Sequence, residues 1–269
     1  MGGTEAAGRW QGRAAIALGL TDTVEAEPLQ RVLAGQDPRT ESELRRSGSV
    51  AGFDVTFSAP KSASVLVGIG DPAMQASVRE AHERAVASAF AYFDDAVSVA
   101  RRGAGGLRKI QGGGLTAASF LHRTSRAGDP QLHTHVVVAT MIQGSDGQWS
   151  ALDGRLVYAH ARTAGYLYQA ALRAELTRQL GVRWRPVQKG MAEIEGMPDK
   201  VLRAFSRRRT EIEEAMTRHG SDGRDAAQIA ALSTRRAKNR GPRHPRPRRR
   251  SHRARAGCPR SRQPLHGRS

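Results

Sequence analysis

Three histidines in the middle of the chain have the type and spacing of metal ligands. His133 and His135 are separated by one residue in a segment rich in β-branched side chains, so on a strand both project from one face of a sheet. His122 ends an earlier strand-like segment, and turn-forming residues lie between the two segments. If the strands pair as an antiparallel hairpin with His122 opposite His133 or His135, all three imidazoles share one face.

Neutral imidazole is the commonest protein ligand for divalent ions of the transition series. Three such ligands on one rigid sheet leave coordination positions open for substrate oxygens, as a catalytic site requires. A His-x-His pair on a strand is also typical of solvated or hydrogen-bonded side chains with no metal. The third histidine, within reach of a hairpin, favours the metal site.

Two polar residues precede the histidines. Asp54 lies in the middle of the alternating apolar and polar segment 53–57, although aspartate is disfavoured in strands. It either faces solvent or acts as a carboxylate that orients a ligand imidazole or takes a proton from a nucleophile. Lys61 follows the proline turn at Pro60 and is interpreted either as a surface lysine or as a phosphate contact.

Basic side chains surround the histidines in the sequence. Arg123 and Arg126 lie one and four residues after His122. Further basic residues are Arg101, Arg102, Arg108 and Lys109. Charge runs are usually solvated faces, but around a metal site they suit a phosphodiester polymer.

Hydrophobic periodicity predicts the elements that carry these residues. Strands are predicted at 53–57, 107–110, 115–122, 133–142 and 149–152. Helices are predicted from Ser62, from Pro72 to about Ala100, up to a cap at Gly181, from Pro198 to Gly220 and over 226–238. In the first 49 residues only Ala14–Leu20 has a helical pattern.

Charge is concentrated at one end of the chain. The net charge is +18, and residues 235–269 contain fourteen basic residues and no acidic one. Leu265 is the one large apolar side chain among the five prolines after Arg240, so this composition predicts a disordered basic tail. The amino-acid composition of this tail differs so much from that of the rest of the chain that a shifted reading frame near Lys238 would explain it.

Several classes of protein are excluded by composition. The single cysteine, Cys258, excludes a disulfide scaffold and a cysteine-based zinc site. No segment has the roughly 18 apolar residues needed to cross a bilayer, and the start lacks the apolar core of a signal peptide. A cytoplasmic protein that does not bind membranes is therefore expected.

Two long motifs carry a resemblance to a known family. Residues 52–62, GFDVTFSAPKS, resemble the signature of TrwC/TraI-type (MobF) conjugative relaxases. Residues 122–126, HRTSR, followed by PQLHTH at 130–135, are similar to the family's histidine motif in spacing and context. Shorter similarities near Trp10, Leu18 and Gly190–Pro198 extend the resemblance over roughly residues 8–238.

The resemblance implies a fold and a chemistry. It implies an α+β domain of the HUH endonuclease kind over residues 1–238, with a two-layer arrangement of antiparallel sheet and helices. It implies His122, His133 and His135 as ligands of a divalent ion (Mg²⁺ or Mn²⁺, with Zn²⁺ or Ni²⁺ as alternatives) and Asp54 as the carboxylate beside the nucleophile. Lys61, Arg123 and Arg126 would contact single-stranded DNA at an origin of transfer. Other relaxosome proteins would be further partners of the chain.

One departure from the family is serious. The family's nucleophilic tyrosines precede the segment that Trp10 resembles, whereas this chain has tyrosines only at 92, 158, 166 and 168. Tyr166 and Tyr168 lie on a helix with core periodicity and are interpreted as packing residues. The first strand, its nucleophile and the helicase domain common in the family are therefore expected to be absent, which predicts an incomplete or inactive fragment.

Two alternatives remain open from the residues alone. One is a non-catalytic single-stranded nucleic-acid-binding protein that uses its tail for sequence-independent attraction to phosphates. The other is a metal-dependent hydrolase of another fold, with a water nucleophile and no covalent adduct.

Overall fold

A computed structural model describes residues 7–46 and 50–218 of the chain. These residues fall within the first of two compact units, Met1–Arg236. The predicted helix at 226–238, the basic tail and the remainder of the second unit, Ala237–Ser269, lie outside the described residues. The described elements are strands β1 (Arg9–Gln11), β2 (Gly52–Ser58), β3 (Val99–Arg102), β4 (Arg108–Gln111), β5 (Ala117–Thr124), β6 (Pro130–Ala139), β7 (Met141–Gln143) and β8 (Trp149–Ala151), and helices α1 (Arg13–Ala17), α2 (Ala26–Ala34), α3 (Lys61–Ile69), α4 (Pro72–Val97), α5 (Gly154–Leu180), α6 (Asp199–Ala204) and α7 (Arg207–Arg218).

The main sheet is antiparallel and has four strands in the order β1, β5, β6, β2. Its longest strand, β6, pairs along its length with β2 on one side and β5 on the other. Side chains alternate between the two faces of a strand. Leu132, Val136 and Val138 therefore point into the core and are fully buried, while the histidines of β6 point to the opposite face.

Two long helices cover the core face of this sheet. Asp71 begins α4 by accepting a hydrogen bond from the Met74 backbone amide at 2.8 Å, with proline at the first helical position. Helix α5 ends at Gly181, whose φ of 64° is the left-handed conformation that glycine adopts without strain. The α+β prediction is confirmed, and the core lies between this helix pair and the sheet.

Several predicted boundaries were wrong. The strand predicted over 133–142 begins at Pro130 and breaks at Thr140, after which β7 pairs with β8 in a second sheet. The helix predicted to reach Ala100 ends at Val97, and β3 then pairs with β4 outside the main sheet. The helix predicted from Pro198 is divided near Ser206 into α6 and α7.

The N-terminal region has more structure than its sequence pattern predicts. Strand β1 pairs with β5, and α2 has no counterpart among the predicted elements. Gly12, between β1 and α1, has a φ of 97°, and a Cβ there would lie 2.1 Å from the Leu115 carbonyl oxygen. Glycine is required at this position because the two backbones approach so closely.

Candidate metal centre

The hairpin of β5 and β6 brings the three predicted histidines together. A turn joins the strands, in which the Ser125 backbone amide donates to the Asp129 carbonyl at 2.8 Å and Gly128 has a φ of 79°. In the resulting register His122 lies directly opposite His133, and a bulge follows His122. One of the two pairings expected from the sequence is therefore the one that forms.

The three imidazoles form a compact cluster on the open face of the sheet. Ring centroids are 5.2 Å apart for His122 and His133, 5.3 Å for His122 and His135, and 5.1 Å for His133 and His135. A ring centre lies roughly 3 Å from an ion that the ring ligates, given metal–nitrogen bonds of about 2.0–2.1 Å. Centres about 5 Å apart are therefore within reach of one shared ion.

The cluster is not already closed around a metal position. Over residues 7–46 and 50–218, no three His, Cys, Asp or Glu side chains are arranged as a ready set of ligands. The His122 and His133 rings are stacked, with 27° between their planes, whereas His135 stands nearly perpendicular to both. Ligation of one ion by all three requires rotation of side chains, without a change of the sheet.

Strand β2 brings a carboxylate to His135. Thr56 is the residue directly opposite His135, and Asp54 lies two residues earlier on the same face. The Asp54 carboxylate accepts a hydrogen bond from His135 Nδ1, with its oxygens at 2.8 and 2.9 Å. The Thr56 hydroxyl lies 3.1 Å from this nitrogen and 3.4 Å from Asp54. The hydrogen bond from His135 lowers the pKa of Asp54, so the carboxylate is charged at neutral pH.

The same kind of contact orients His133. Its Nδ1 lies 2.9 Å from the Gln131 carbonyl oxygen, an acceptor to which only a protonated nitrogen can donate. In both His133 and His135 an acceptor therefore fixes the proton on Nδ1 and leaves the Nε2 lone pair unprotonated. Burial lowers the pKa of His133, which favours the neutral form that ligates metals.

The profile of the TrwC relaxase family matches residues 2–257. The chain belongs to the TrwC relaxase family. It is 36% identical over 246 residues to the multifunctional conjugation protein TraI of Escherichia coli, and 36% identical over 245 residues to that of strain K12. These matches cover 86% of the chain but 13% of the relatives' own length.

Solved relaxase structures have the same fold. The metal-free complex of conjugative relaxase TrwC with OriT DNA superposes with a TM-score of 0.78 at 34% identity, covering 88% of this chain and 86% of that one. A metal-bound complex of TrwC with OriT DNA gives a TM-score of 0.78 at 34% identity, covering 87% and 83%. The resemblance in the two sequence motifs is thus confirmed as membership of the relaxase family.

The basic residues predicted to contact DNA differ in their surroundings. Within this relaxase domain, Arg123 and Arg126 are exposed beside the turn of the hairpin. Lys61 is half-buried at the start of α3, and its ammonium group donates to the Pro130 carbonyl at 2.9 Å. Burial lowers the pKa of Lys61. Its ammonium group therefore contacts the backbone of Pro130, the first residue of β6.

His82 was not singled out from the sequence, yet it lies directly behind the cluster. It is fully buried on α4, with Nδ1 at 2.7 Å from the Tyr168 hydroxyl and Nε2 at 2.7 Å from the Thr134 hydroxyl. Thr134 is the residue between His133 and His135. The signal was a histidine within the apolar stripe of a long helix, where each imidazole nitrogen needs a partner.

The tyrosines are divided between core and surface. Tyr168 is 1% exposed, as predicted for a packing residue, whereas Tyr166 is 47% exposed and the same prediction was wrong for it. Tyr92 lies 2.8 Å from His160 Nδ1, between α4 and α5. Tyr158 is 75% exposed and meets Phe53 edge to face at 5.8 Å between ring centres.

No helix among residues 7–46 and 50–218 combines the length and apolar character needed to span a bilayer.

Proposed function

We propose that this relaxase domain binds a divalent ion through His122, His133 and His135 and presents it to a single DNA strand. The observation that supports this most strongly is the three-ring cluster on the open face of the sheet, with Asp54 against its outer member. The solved complexes of relaxase TrwC with OriT DNA, one of them metal-bound, support the same assignment.

Each side chain has a defined part in this proposal. His133 and His135 offer Nε2, because Gln131 and Asp54 accept from their Nδ1 groups. A divalent ion, when bound, supplies positive charge that polarises a scissile phosphate. Asp54 holds the His135 ring and raises its strength as a ligand. We propose Mg²⁺ or Mn²⁺ as the working ion, with phosphate oxygens in the open positions, and Zn²⁺ or Ni²⁺ as competitors for the imidazoles.

We further propose that this chain does not cleave DNA by itself. Cleavage through a tyrosine needs a phenol beside the ion and a base for its proton, since its ordinary pKa is about 10. Burial raises the pKa of Tyr168 further, and Tyr92 is engaged with His160 between the helices. The remaining two, Tyr158 and Tyr166, are exposed on α5, and within the described part of the chain neither hydroxyl has a hydrogen-bond partner that could take its proton.

Calorimetric titration with Mn²⁺ tests the metal site. His133→Ala is expected to weaken binding at least about tenfold, and Asp54→Asn about 10- to 100-fold, the usual effect of removing a partner of a ligand. His160→Ala is the matched control, because that ring pairs with Tyr92 and not with the cluster. If His133→Ala and Asp54→Asn bind Mn²⁺ with the same affinity as the wild type and the His160→Ala control, the assignment is refuted.

Incubation with supercoiled DNA carrying an origin of transfer and Mn²⁺ tests the second proposal. No tyrosine-linked DNA is expected. A covalent adduct mapped to Tyr158 or any other tyrosine would show that the nucleophile is present after all.

A further inference from the structure

We infer that one face of α5 is a docking surface for single-stranded DNA, a role that rests on the DNA binding proposed above. Four side chains recur at intervals of three or four residues, alternating arginine and tyrosine: Arg155, Tyr158, Arg162 and Tyr166. Residues at this spacing line one side of a helix. We call these four residues the Arg–Tyr stripe.

The stripe is open to solvent. Tyr158 is 75% exposed and Tyr166 47%, and the side chain of Arg155 is 71% exposed. Arg162 is exposed as well. An exposed aromatic ring presents a planar apolar face, and a nucleic-acid base is a planar partner that can stack on it.

The stripe begins beside the metal centre. Tyr158 lines a groove of about 360 Å³ together with Asp54 and Thr56, the two residues of β2 that contact His135. Strand β2 is an edge strand of the four-stranded sheet, so this groove follows its outer side. A single DNA strand bound along the stripe would thus extend into the groove that contains Asp54.

Charge favours a polyanion over a protein segment. Helix α5 carries no acidic residue before Glu175. Near its start, Asp153 is fully buried and bonded to Arg155 and Lys109. Of the described residues that line the groove, Asp54 is the one that is acidic, and its charge is engaged by His135. The exposed groups of the stripe are therefore cationic or aromatic, the combination that tracks phosphates and stacks bases.

The geometry suits two neighbouring contacts. Tyr158 and Tyr166 are eight positions apart on the helix, which corresponds to a rise of about 12 Å. Each tyrosine stacks on a base and the two arginines approach the phosphates. This recognition does not depend on sequence, because every base offers a π face.

Fluorescence anisotropy with an oligothymidine of about twelve nucleotides tests the inference, using the full chain in about 0.3 M NaCl to weaken purely electrostatic binding. Tyr158→Ala and Tyr166→Ala are each expected to weaken binding by about fivefold or more, and Tyr158→Phe to stay within about twofold of wild type. Arg162→Gln should reduce the slope of log affinity against log salt by about 0.7. Leu107→Ala, which removes another exposed apolar side chain (88% exposed), is the control and should not change the affinity.

A second measurement locates the bound DNA strand on the protein directly. Photocrosslinking with oligothymidine that carries 5-iodouracil is expected to attach DNA to Tyr158 or Tyr166. Crosslinks confined to other residues, with both alanine variants binding within twofold of wild type, would overturn the inference but leave DNA binding intact. A wild-type chain that binds a single strand from an origin of transfer but no oligothymidine would overturn the inference and leave the proposed function intact, whereas a chain that binds neither would overturn the proposed function itself. Loss of self-association in Tyr158→Ala without loss of DNA binding would assign the surface to a second copy of the chain.

Discussion

Replacement of His82 by glutamine should change how the stability of the domain depends on pH. His82 is fully buried, and its two nitrogens contact the Tyr168 and Thr134 hydroxyls at 2.7 Å each. Burial, with a smaller electrostatic contribution from His133, lowers the pKa of His82 to about 3. The folded protein therefore holds a neutral imidazole far below the pH at which an unfolded histidine takes up a proton.

The sign and size of the effect follow from this difference. An unfolded histidine titrates near 6.5, so the neutral buried ring contributes its full stability above that pH. The contribution decreases as the pH falls from 6.5 towards 3, because the unfolded state gains a proton that the folded state does not bind. Between pH 7.5 and pH 5 the free energy of unfolding should fall by about 2 kcal/mol from this group alone.

Urea unfolding of wild type and His82→Gln at pH 7.5 and pH 5 measures the contribution. The wild type should be the more stable at pH 7.5, and the difference should shrink by about 2 kcal/mol at pH 5, since glutamine does not titrate. Thr116→Val removes a buried hydroxyl that has no hydrogen-bond partner among the described residues and should give a difference independent of pH. A wild-type advantage that is equal at both pH values would refute the reasoning.

Substitutions at three further positions test how the core stabilises the sheet, with the free energy of unfolding measured in urea. Gly12→Ala should cost more than about 2 kcal/mol, since its Cβ would meet the Leu115 carbonyl; an unchanged midpoint would contradict the close approach. Asp94→Ala should cost about 1–3 kcal/mol, because this buried carboxylate accepts from the Leu115 backbone amide as well as from Arg13 Nε at 3.0 Å, and its removal leaves the buried amide unpaired; an unchanged midpoint would make these bonds unimportant. Thr134→Val should cost about 1–3 kcal/mol by leaving an imidazole nitrogen unpaired, whereas Thr134→Ser, which keeps the hydroxyl, should cost less; equal losses would exclude the hydrogen bond as the cause.

The part of the site that the sequence predicts is the part built from local rules. Side chains alternate along a strand with a period of two, so His133 and His135 had to share a face wherever β6 packed. The turn formers between the strands then limited His122 to one of two partners. The hairpin, the fold class and the family follow from these patterns, while the roles of the individual histidines stay a prediction.

The features that sequence reasoning missed depend on contacts between distant segments. Strand β1 is three residues long and exists because β5 offers it an edge. The break at Thr140 depends on β7 pairing with β8 in a second sheet. Whether Asp54 faced solvent or His135 was fixed by the register of β2 against β6, which no local pattern encodes.

The central strand links the stability of the core to the geometry of the open face. On β6 the core residues Leu132, Thr134 and Val136 alternate with the two histidines, so the backbone that carries His133 and His135 is held by side chains pointing the other way. His82 adds a directional contact to this packing at Thr134, directly between the histidines. An apolar residue at position 82 could fill the same volume, but it could not form the hydrogen bond to Thr134 that fixes the position of β6.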